Sequence, residues 1–578
     1  VKKILFLVLL FLLSVNAKEF KLEIIHMNDM HSHLDEESMR LNIGGIKLKV
    51  HAGGYPRIAT AIKQKEAKQK NHLLLDAGDA LQGTLYYTLF KGEVDAKMMS
   101  TLPWDTFVLG NHEFDDGDEN LKNFLSGFKT PVVAANVYAD SHDVLFGRWK
   151  PYIIKHIGGE DIGIIGIDTL RATKYASSPG KDIEFFDEIK TVKKYVKILK
   201  SKGIDKIIIL SHFGYNNDIR LAKAVKDIDV IVGGHTHTLM GDFDSLGLKG
   251  SVPYPKKILS KEGDLTCIVQ AYAYCKIVGD LRVTFDEGGK VLTCRGTPLL
   301  VVSDDFRVKN SSGSYVDISQ TDRKKVENII KNRADIEIVK RDKKVQNILN
   351  GYKKQVDLKE RQIIAKASQT LANIRIPGMS YGTHLGRKLP LGSEVAPIVA
   401  RAFYKRVKGS DAVILNAGGV RTDIKKGDIS IKDVYTLLPF SNTLYTIPMK
   451  GWQIHQILED ALQSVVGLDS SGAFPYAYGL RYSVDMSKKN GKRVTNLEIL
   501  DKKSHKFHKI EKNRLYNIVT LSYLASGKDG FKTFATIRGV DTYFDYANSF
   551  VVYLKNLQKE GRELKKLPSW QHCIKSFK

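Results

Sequence analysis

At 578 residues the chain is too long for one hydrophobic core, and domains of roughly 100 to 250 residues predict two large units and a connector. A composition of 43% hydrophobic, 26% charged and 9% aromatic residues excludes a disordered or collagen-like chain. The formal charge of +25 favours the approach of anions, but Lys63, Lys65, Lys68 and Lys70 read as a solvated helix face. Bases do not interleave with aromatics, so no stable nucleic-acid partner is expected.

The chain opens Val1-Lys2-Lys3, continues as the apolar run Ile4 to Leu13 and reaches the small residue Ala17, the pattern of a signal peptide over residues 1–17. That run is shorter than the roughly 20 residues a membrane-spanning helix needs, and no later stretch qualifies. The mature chain is expected to be periplasmic or secreted, with no transmembrane anchor. There Cys267, Cys275, Cys294 and Cys573 are free to oxidise; one disulfide and buried free thiols both remain open.

From Leu22 to about Val302, short β-rich runs alternate with helical or loop segments, an α/β pattern for a first unit over residues 18–319. The runs Leu22 to Met27, Leu73 to Asp76, Phe107 to Leu109, Ile207 to Leu210 and Val230 to Val232 each lead into polar residues. Open α/β sheets place their sites at such strand ends. Residues 320–359 lose the strand pattern and read as a charged helical connector, and a second unit covers residues 360–578.

Two dications a few Å apart need a bridging carboxylate and His, Asn and Asp ligands gathered from several strand ends. The chain offers Asn28-Asp29-Met30-His31, Asp76-Ala77-Gly78-Asp79, Gly110-Asn111-His112-Glu113-Phe114-Asp115, Ser211-His212 and Gly233-Gly234-His235-Thr236-His237. In this order the blocks resemble those of the metallophosphoesterase superfamily, and specifically the 5'-nucleotidases. The resemblance implies an N-terminal α/β/β/α sandwich, a helical linker and a C-terminal α+β nucleotide-binding domain. It further implies that Asp29, His31, Asp79 and His237 hold one divalent ion and Asp79, Asn111, His212 and His235 the other, drawn from Zn, Mn, Co or Fe. By the same resemblance His112 stabilises the transition state or the leaving oxygen while Asp115 orients its ring. Glu113 reads as structural, because successive residues of an extended segment point apart, and His26 and His33 are left out of the ligand set.

In the second unit, Asn416-Ala417-Gly418-Gly419-Val420-Arg421 sets two glycines before an arginine able to clamp a phosphate oxygen. Phe440 and Phe474 lie in turn-prone settings, Leu438-Pro439-Phe440-Ser441-Asn442 and Gly472-Ala473-Phe474-Pro475. With Gly527-Lys528-Asp529-Gly530 these blocks look like the C-terminal domain of the same family. The resemblance implies that Phe440 and Phe474 sandwich a base, Asn416 and Asn442 bond to the nucleoside, Asp529 receives ribose hydroxyls and Arg421 holds phosphate. The family's upstream arginine region departs here, which leaves Arg375 and Arg387 as further phosphate contacts. The segments Gly83 to Phe90 and Ser178 to Asp182 are similar to bacterial periplasmic NAD nucleotidases, implying cleavage of the NAD pyrophosphate beside dephosphorylation of AMP and related nucleotides. A 2',3'-cyclic nucleotide 2'-phosphodiesterase/3'-nucleotidase stays open as the alternative, since it shares the metal blocks. The complete ligand set argues against a non-enzymatic exported binding or adhesion protein.

Overall fold

The structure is a computed structural model that describes residues 19–578 apart from 69, 249–250, 261–262, 312, 379–388, 441 and 468–470. The expected signal segment, residues 1–17, and Arg387 lie outside the described residues. The chain divides into two compact units between Tyr352 and Lys353.

The first unit is built on two facing sheets. Phe20–Met27 is buried on both faces from Leu22 onward, and it occupies the middle of the first sheet, parallel to His72–Asp76 and antiparallel to Ile277–Phe285. The parallel series continues through Thr106–Val108 to Val132–Val133. In the second sheet Glu160–Asp168, Lys206–His212, Val230–Gly233 and Leu265–Val269 are parallel neighbours, closed by antiparallel edges at Tyr152–Ile157 and Lys256–Leu259. Leu22, Ile24, Leu73 and Leu75 of the first sheet meet Ile162, Ile164, Ile208 and Leu210 of the second in one fully buried core. Helix Tyr55–Glu66 lies against the first sheet, and Glu188–Ser201 and Tyr215–Ala224 cover the second. This is the expected α/β/β/α sandwich.

One disulfide, Cys267–Cys294, joins Leu265–Val269 of the second sheet to Val291–Gly296 of the first, while Cys275 and Cys573 are buried thiols. The connector differs from its expected form. Helices Gln320–Lys331 and Lys343–Glu360 are interrupted by a strand, Ile336–Ile338, that pairs with Leu299–Val302 in the first sheet. The cause is a short alternation, Ile336-Glu337-Ile338, which buries Ile336 beside Leu300 and Val326.

The second unit carries a five-stranded mixed sheet in the order Pro475–Tyr478, Ala412–Asn416, Leu515–Leu521, Thr443–Lys450, Val540–Asp545. Helices Ala396–Arg406 and Tyr546–Lys559 pack together beside it, and Gly451–Gly467 packs on Thr443–Lys450. No described helix is long and apolar enough to cross a membrane.

Candidate active site

The polar strand ends of the first unit converge at one edge of the sandwich. Parallel strands of the first sheet release Asn28 to His31, Ala77 to Asp79 and Leu109 to His112, and parallel strands of the second deliver His212, His235 and His237. Backbone pairing runs on beyond the strands: Asp29 N donates to Gly78 O at 2.9 Å, His31 N to Asp79 O at 3.0 Å and Ser32 N to Ala80 O at 2.9 Å. The loops are strained where donors sit, with φ of 52° at Asp29, 48° at His31, 55° at Asp79, 72° at His235 and 48° at His237. Left-handed non-glycine residues concentrate where surrounding structure over-determines them, which is typical of ligand clamps.

Glu113 supplies part of that determination. Its buried carboxylate accepts N–H groups from Asp79 at 3.0 Å, Ala80 at 2.8 Å, Leu81 at 3.2 Å and Gly110 at 2.7 Å. Gly110 is needed for close approach, because a Cβ there would fall 2.3 Å from Asp79 Oδ1. Burial, followed by the charge of Asp79, raises the Glu113 pKa to about 7.

The ligand atoms face one another at short range in the buried centre. His212 Nδ1 donates to Ala77 O at 2.7 Å, which leaves its Nε2 facing Asp79 Oδ2 at 2.9 Å. His31 Nδ1 donates to Leu81 O at 3.2 Å, and its Nε2 lies 2.9 Å from His237 Nε2. Asp79 Oδ2, His212 Nε2 and both side-chain polar atoms of Asn111 are buried with no hydrogen-bond partner. Buried acceptors gather this way only around a proton or a cation. Asp29, His31 and His237 bring ligand atoms within 4.8 Å of one another, as do Asp79, His212 and His235.

Electrostatics support a cation. Burial brings the pKa of His31 down to about 4 and of His235 to about 3, which keeps both imidazoles neutral and ready to ligate. Burial opposes ionisation of Asp29, but His237 and His31 outweigh it and hold the carboxyl well below its usual range. Burial likewise opposes charge on His212, but Asp79 and Asp29 raise it well above the ordinary histidine value. The carboxylates of Asp29 and Asp79, the neutral imidazoles of His31 and His235 and the positive charge favoured between His212 and Asp79 fit divalent metal ions.

His112 stands beside this centre in a different state. Its backbone N–H donates to Asp79 Oδ1 at 2.9 Å, its Nδ1 pairs with Asp115 Oδ2, and its ring centroid is 5.1 Å from that of His31. Burial opposes its charge, yet Asp115 and then Asp79 raise its pKa to about 9, so it is a cationic donor near neutral pH. His26 instead stacks on Tyr254 with Nε2 2.8 Å from the phenol oxygen, and His33 pairs with Glu37. Tyr274 was not anticipated: its N–H donates to Asp29 O at 2.8 Å, and its ring lies 5.2 Å from His237 and 5.8 Å from His31.

In the second unit, Asn416 Nδ2 donates to Asp529 Oδ2 at 2.6 Å. Arg421 donates to Gly418 O at 3.2 Å and stacks over the half-exposed Phe440 ring at 5.6 Å. Gly418 lies against Gly472, where a Cβ would meet the Gly472 carbonyl at 3.2 Å, and Arg375 bonds the neighbouring Ser471 at 3.2 Å. Asn442, partly buried, ties this rim to a helix by accepting the Tyr546 N–H on its backbone carbonyl.

Phe474, expected to face a base, has its ring turned inward in the structure. It is fully buried, packed at 5.2 Å on Tyr476 and 5.9 Å on Phe577, because it leads into the core strand Pro475–Tyr478. The exposed ring lies elsewhere: Tyr523 is 42% exposed and donates its hydroxyl to Asp529 Oδ1 at 3.1 Å. Thr443 N bonds Ser522 Oγ at 3.1 Å, which fastens the Phe440 loop to the segment carrying Tyr523. The available sequence signal was an aromatic just past the apolar strand Leu515–Leu521 and shortly before Asp529.

Residues 22–239 match the calcineurin-like phosphoesterase family and residues 386–536 the 5'-nucleotidase C-terminal domain. The chain is 39% identical over 550 residues to the NAD 5'-nucleotidase of Haemophilus influenzae, covering 93% of this chain and 90% of the relative. It belongs to the 5'-nucleotidase family. Among solved 5'-nucleotidase structures, the Haemophilus influenzae NAD nucleotidase superposes with a TM-score of 0.82 at 38% identity, covering 97% of this chain and 99% of that one. A 5'-nucleotidase precursor from Thermus thermophilus gives a TM-score of 0.58 at 32% identity, over 96% and 99% of the two chains. The protein is therefore a phosphoesterase of the 5'-nucleotidase and NAD nucleotidase type, and the His/Asp clusters at the edge described above are consistent with a divalent-metal site.

Proposed function

We propose that this enzyme removes the 5'-phosphate from AMP and related nucleotides and cleaves the pyrophosphate of NAD, working outside the cytoplasm. The observation that carries this reading is the buried cluster of Asp79, Asn111 and His212 atoms left without partners, in a chain similar along most of its length to an NAD 5'-nucleotidase. Asp29, His31, Asp79 and His237 would hold one divalent ion and Asp79, Asn111, His212 and His235 a second, with Zn, Mn, Co or Fe suited to this donor set. Bound there, such ions would supply a water that ionises near neutral pH and would neutralise charge on the phosphoryl oxygens. Both ester and pyrophosphate cleavage need only that chemistry.

The chain's own residues perform the remaining tasks. His112, kept cationic by Asp115, donates to an oxygen on which charge develops. Phe440 and Tyr523 offer faces to a base, and Asn416, Asn442 and Asp529 offer polar contacts to the nucleoside. Arg421 and Arg375 offer cations to phosphate, and Arg387 is retained as a third. Export is supported by the apolar run Ile4 to Leu13 followed by Ala17 and by the disulfide Cys267–Cys294, a bond that persists in oxidising compartments.

The test is release of phosphate and nucleoside by purified protein with added Mn or Zn, offered AMP, NAD and 2',3'-cyclic AMP in parallel. An Asp79→Asn control runs beside it. Turnover of AMP and NAD that vanishes in the control is expected; turnover of the cyclic substrate alone would move the enzyme to the phosphodiesterase class. For export, protein recovered from outside the cytoplasm should begin after Ala17 by N-terminal sequencing, and a cytoplasmic pool retaining residues 1–17 would defeat that part.

A further inference from the structure

The first unit contains a cavity of about 810 Å³ whose lining includes none of the metal-ligand candidates. It lies between the paired strands Val137–Ala139 and Ile183–Phe185, the loop bearing Phe146 and Trp149, and helix Glu188–Ser201. Cavities of roughly 300 to 1,000 Å³ with mostly apolar walls and a few convergent polar groups are the usual form of a small-molecule site.

The apolar wall is aromatic and open to water. Tyr138, Phe146 and Phe186 remain 47%, 56% and 47% exposed. Single exposed rings need no explanation, but three lining one concavity do. Two further rings are fixed in place: Trp149 Nε1 donates to Val137 O at 2.8 Å with its ring edge-on to Phe114 at 6.5 Å, and Tyr195 packs on Tyr152 at 5.8 Å. Trp149 and Tyr195 would therefore lose little freedom when a ligand binds.

The polar side is equally placed. Lys190 and Lys194 sit one turn apart on Glu188–Ser201, so both ammonium groups serve the same face of the cavity. Neither is ion-paired among the described residues, and Lys194 Nζ stays 5.1 Å over the Tyr195 ring. Glu184 stands directly across the strand pair from Tyr138, an acceptor beside the aromatic wall, and the other acid of the lining, Asp187, is engaged in capping the helix by accepting Lys190 N at 2.8 Å. Ring faces, an acceptor and two adjacent cations match a planar heterocycle joined to a phosphate.

We propose that this cavity is a non-catalytic binding site for a mononucleotide, with the base among Tyr138, Phe146 and Phe186 and the phosphate on Lys190 and Lys194. The proposal does not depend on which phosphoester the metal centre cleaves. Full-length protein, kept from turnover by a chelator, is titrated calorimetrically with AMP and separately with inorganic phosphate. Wild type should show an AMP-binding event that a Lys190→Glu/Lys194→Glu variant lacks, and a Phe146→Ala/Phe186→Ala variant should weaken it by at least about tenfold. Both variants alter exposed side chains, and unchanged melting temperatures would show that they fold. Superimposable titrations of wild type and the lysine variant would overturn the proposal, as would phosphate binding at this site as tightly as AMP. Because binding is read without catalysis, a failure of the proposed reaction in the turnover assay leaves this result independent.

Discussion

Replacing Glu113 by Gln tests whether the bridging loop is held as its hydrogen bonds indicate. Glu113 Oε1 accepts the Ala80 and Leu81 N–H groups, and Oε2 those of Asp79 and Gly110. An amide keeps one acceptor oxygen, so whichever pair it serves, the other pair meets an NH₂ group. Two buried N–H groups left unpaired cost roughly 2 to 6 kcal/mol together. Part of this is offset, because burial already disfavours the Glu113 charge and raises its pKa to about 7. A net loss of about 2 to 3 kcal/mol lowers the melting temperature of a unit of about 330 residues by roughly 3 to 4 °C. Displacement of Asp79 should weaken metal binding by about 10- to 100-fold, the usual consequence of removing a group that orients a ligand. Differential scanning fluorimetry and a Zn or Mn titration read these two effects separately. A variant that melts within about 1 °C of wild type and binds metal equally well would refute the role given to Glu113.

Aromatic substitutions separate the two phenylalanine assignments. Phe474→Ala should lose about 3 to 5 kcal/mol of stability as a core truncation, whereas Tyr523→Ala should melt normally and raise KM for AMP about tenfold; the reverse pattern in melting and steady-state kinetics would restore Phe474 to the base site. Reducing Cys267–Cys294, which closes a separation of 27 residues, should cost roughly 3 to 4 kcal/mol of unfolding free energy, read as a lower denaturation midpoint with a thiol reductant present. Asp545 caps Tyr546–Lys559 by accepting Asn548 N at 2.6 Å, and burial raises its pKa to about 7 from 3.8. A raised carboxyl penalises the fold as pH climbs through that window, so Asp545→Asn should raise the melting temperature at pH 8 and leave it unchanged at pH 4, and an equal shift at both would contradict the cause.

The metal edge was legible because each donor motif follows an apolar run, and a run buried on both faces has to be an interior strand with its polar end at the rim. Phe20–Met27 and Lys206–His212 show this most directly, since nearly every residue in them is buried. The base site was less legible. A turn-prone setting says where the chain bends but not which way a ring faces, and Phe474 turns inward because Pro475–Tyr478 continues the core. The strand Ile336–Ile338 was hidden by its length, three residues within a charged segment that otherwise has helical spacing. The disulfide partners could not be read locally, because Cys267 and Cys294 meet only through the stacking of two sheets.

The strain at the ligand positions accounts for why so much hydrogen bonding surrounds them. Left-handed backbone at Asp29, His31, Asp79, His235 and His237 costs roughly 1 to 3 kcal/mol per residue, in sum on the order of the whole net stability of a domain. Such loops hold their shape only if other contacts fix them before any ion arrives. Those contacts are present: strand pairing extended from Asp29 to Gly78 and from His31 to Asp79, the Glu113 carboxylate beneath the Asp79 turn, and His235 N bonded to Asp29 at 3.0 Å across the two sheets. The last contact is the one that matters for specificity, since it links ligands from both sheets through a buried carboxylate. The protein therefore fixes the spacing between donors from the two sheets through its own fold, and metal ions would enter a cage whose dimensions were already set.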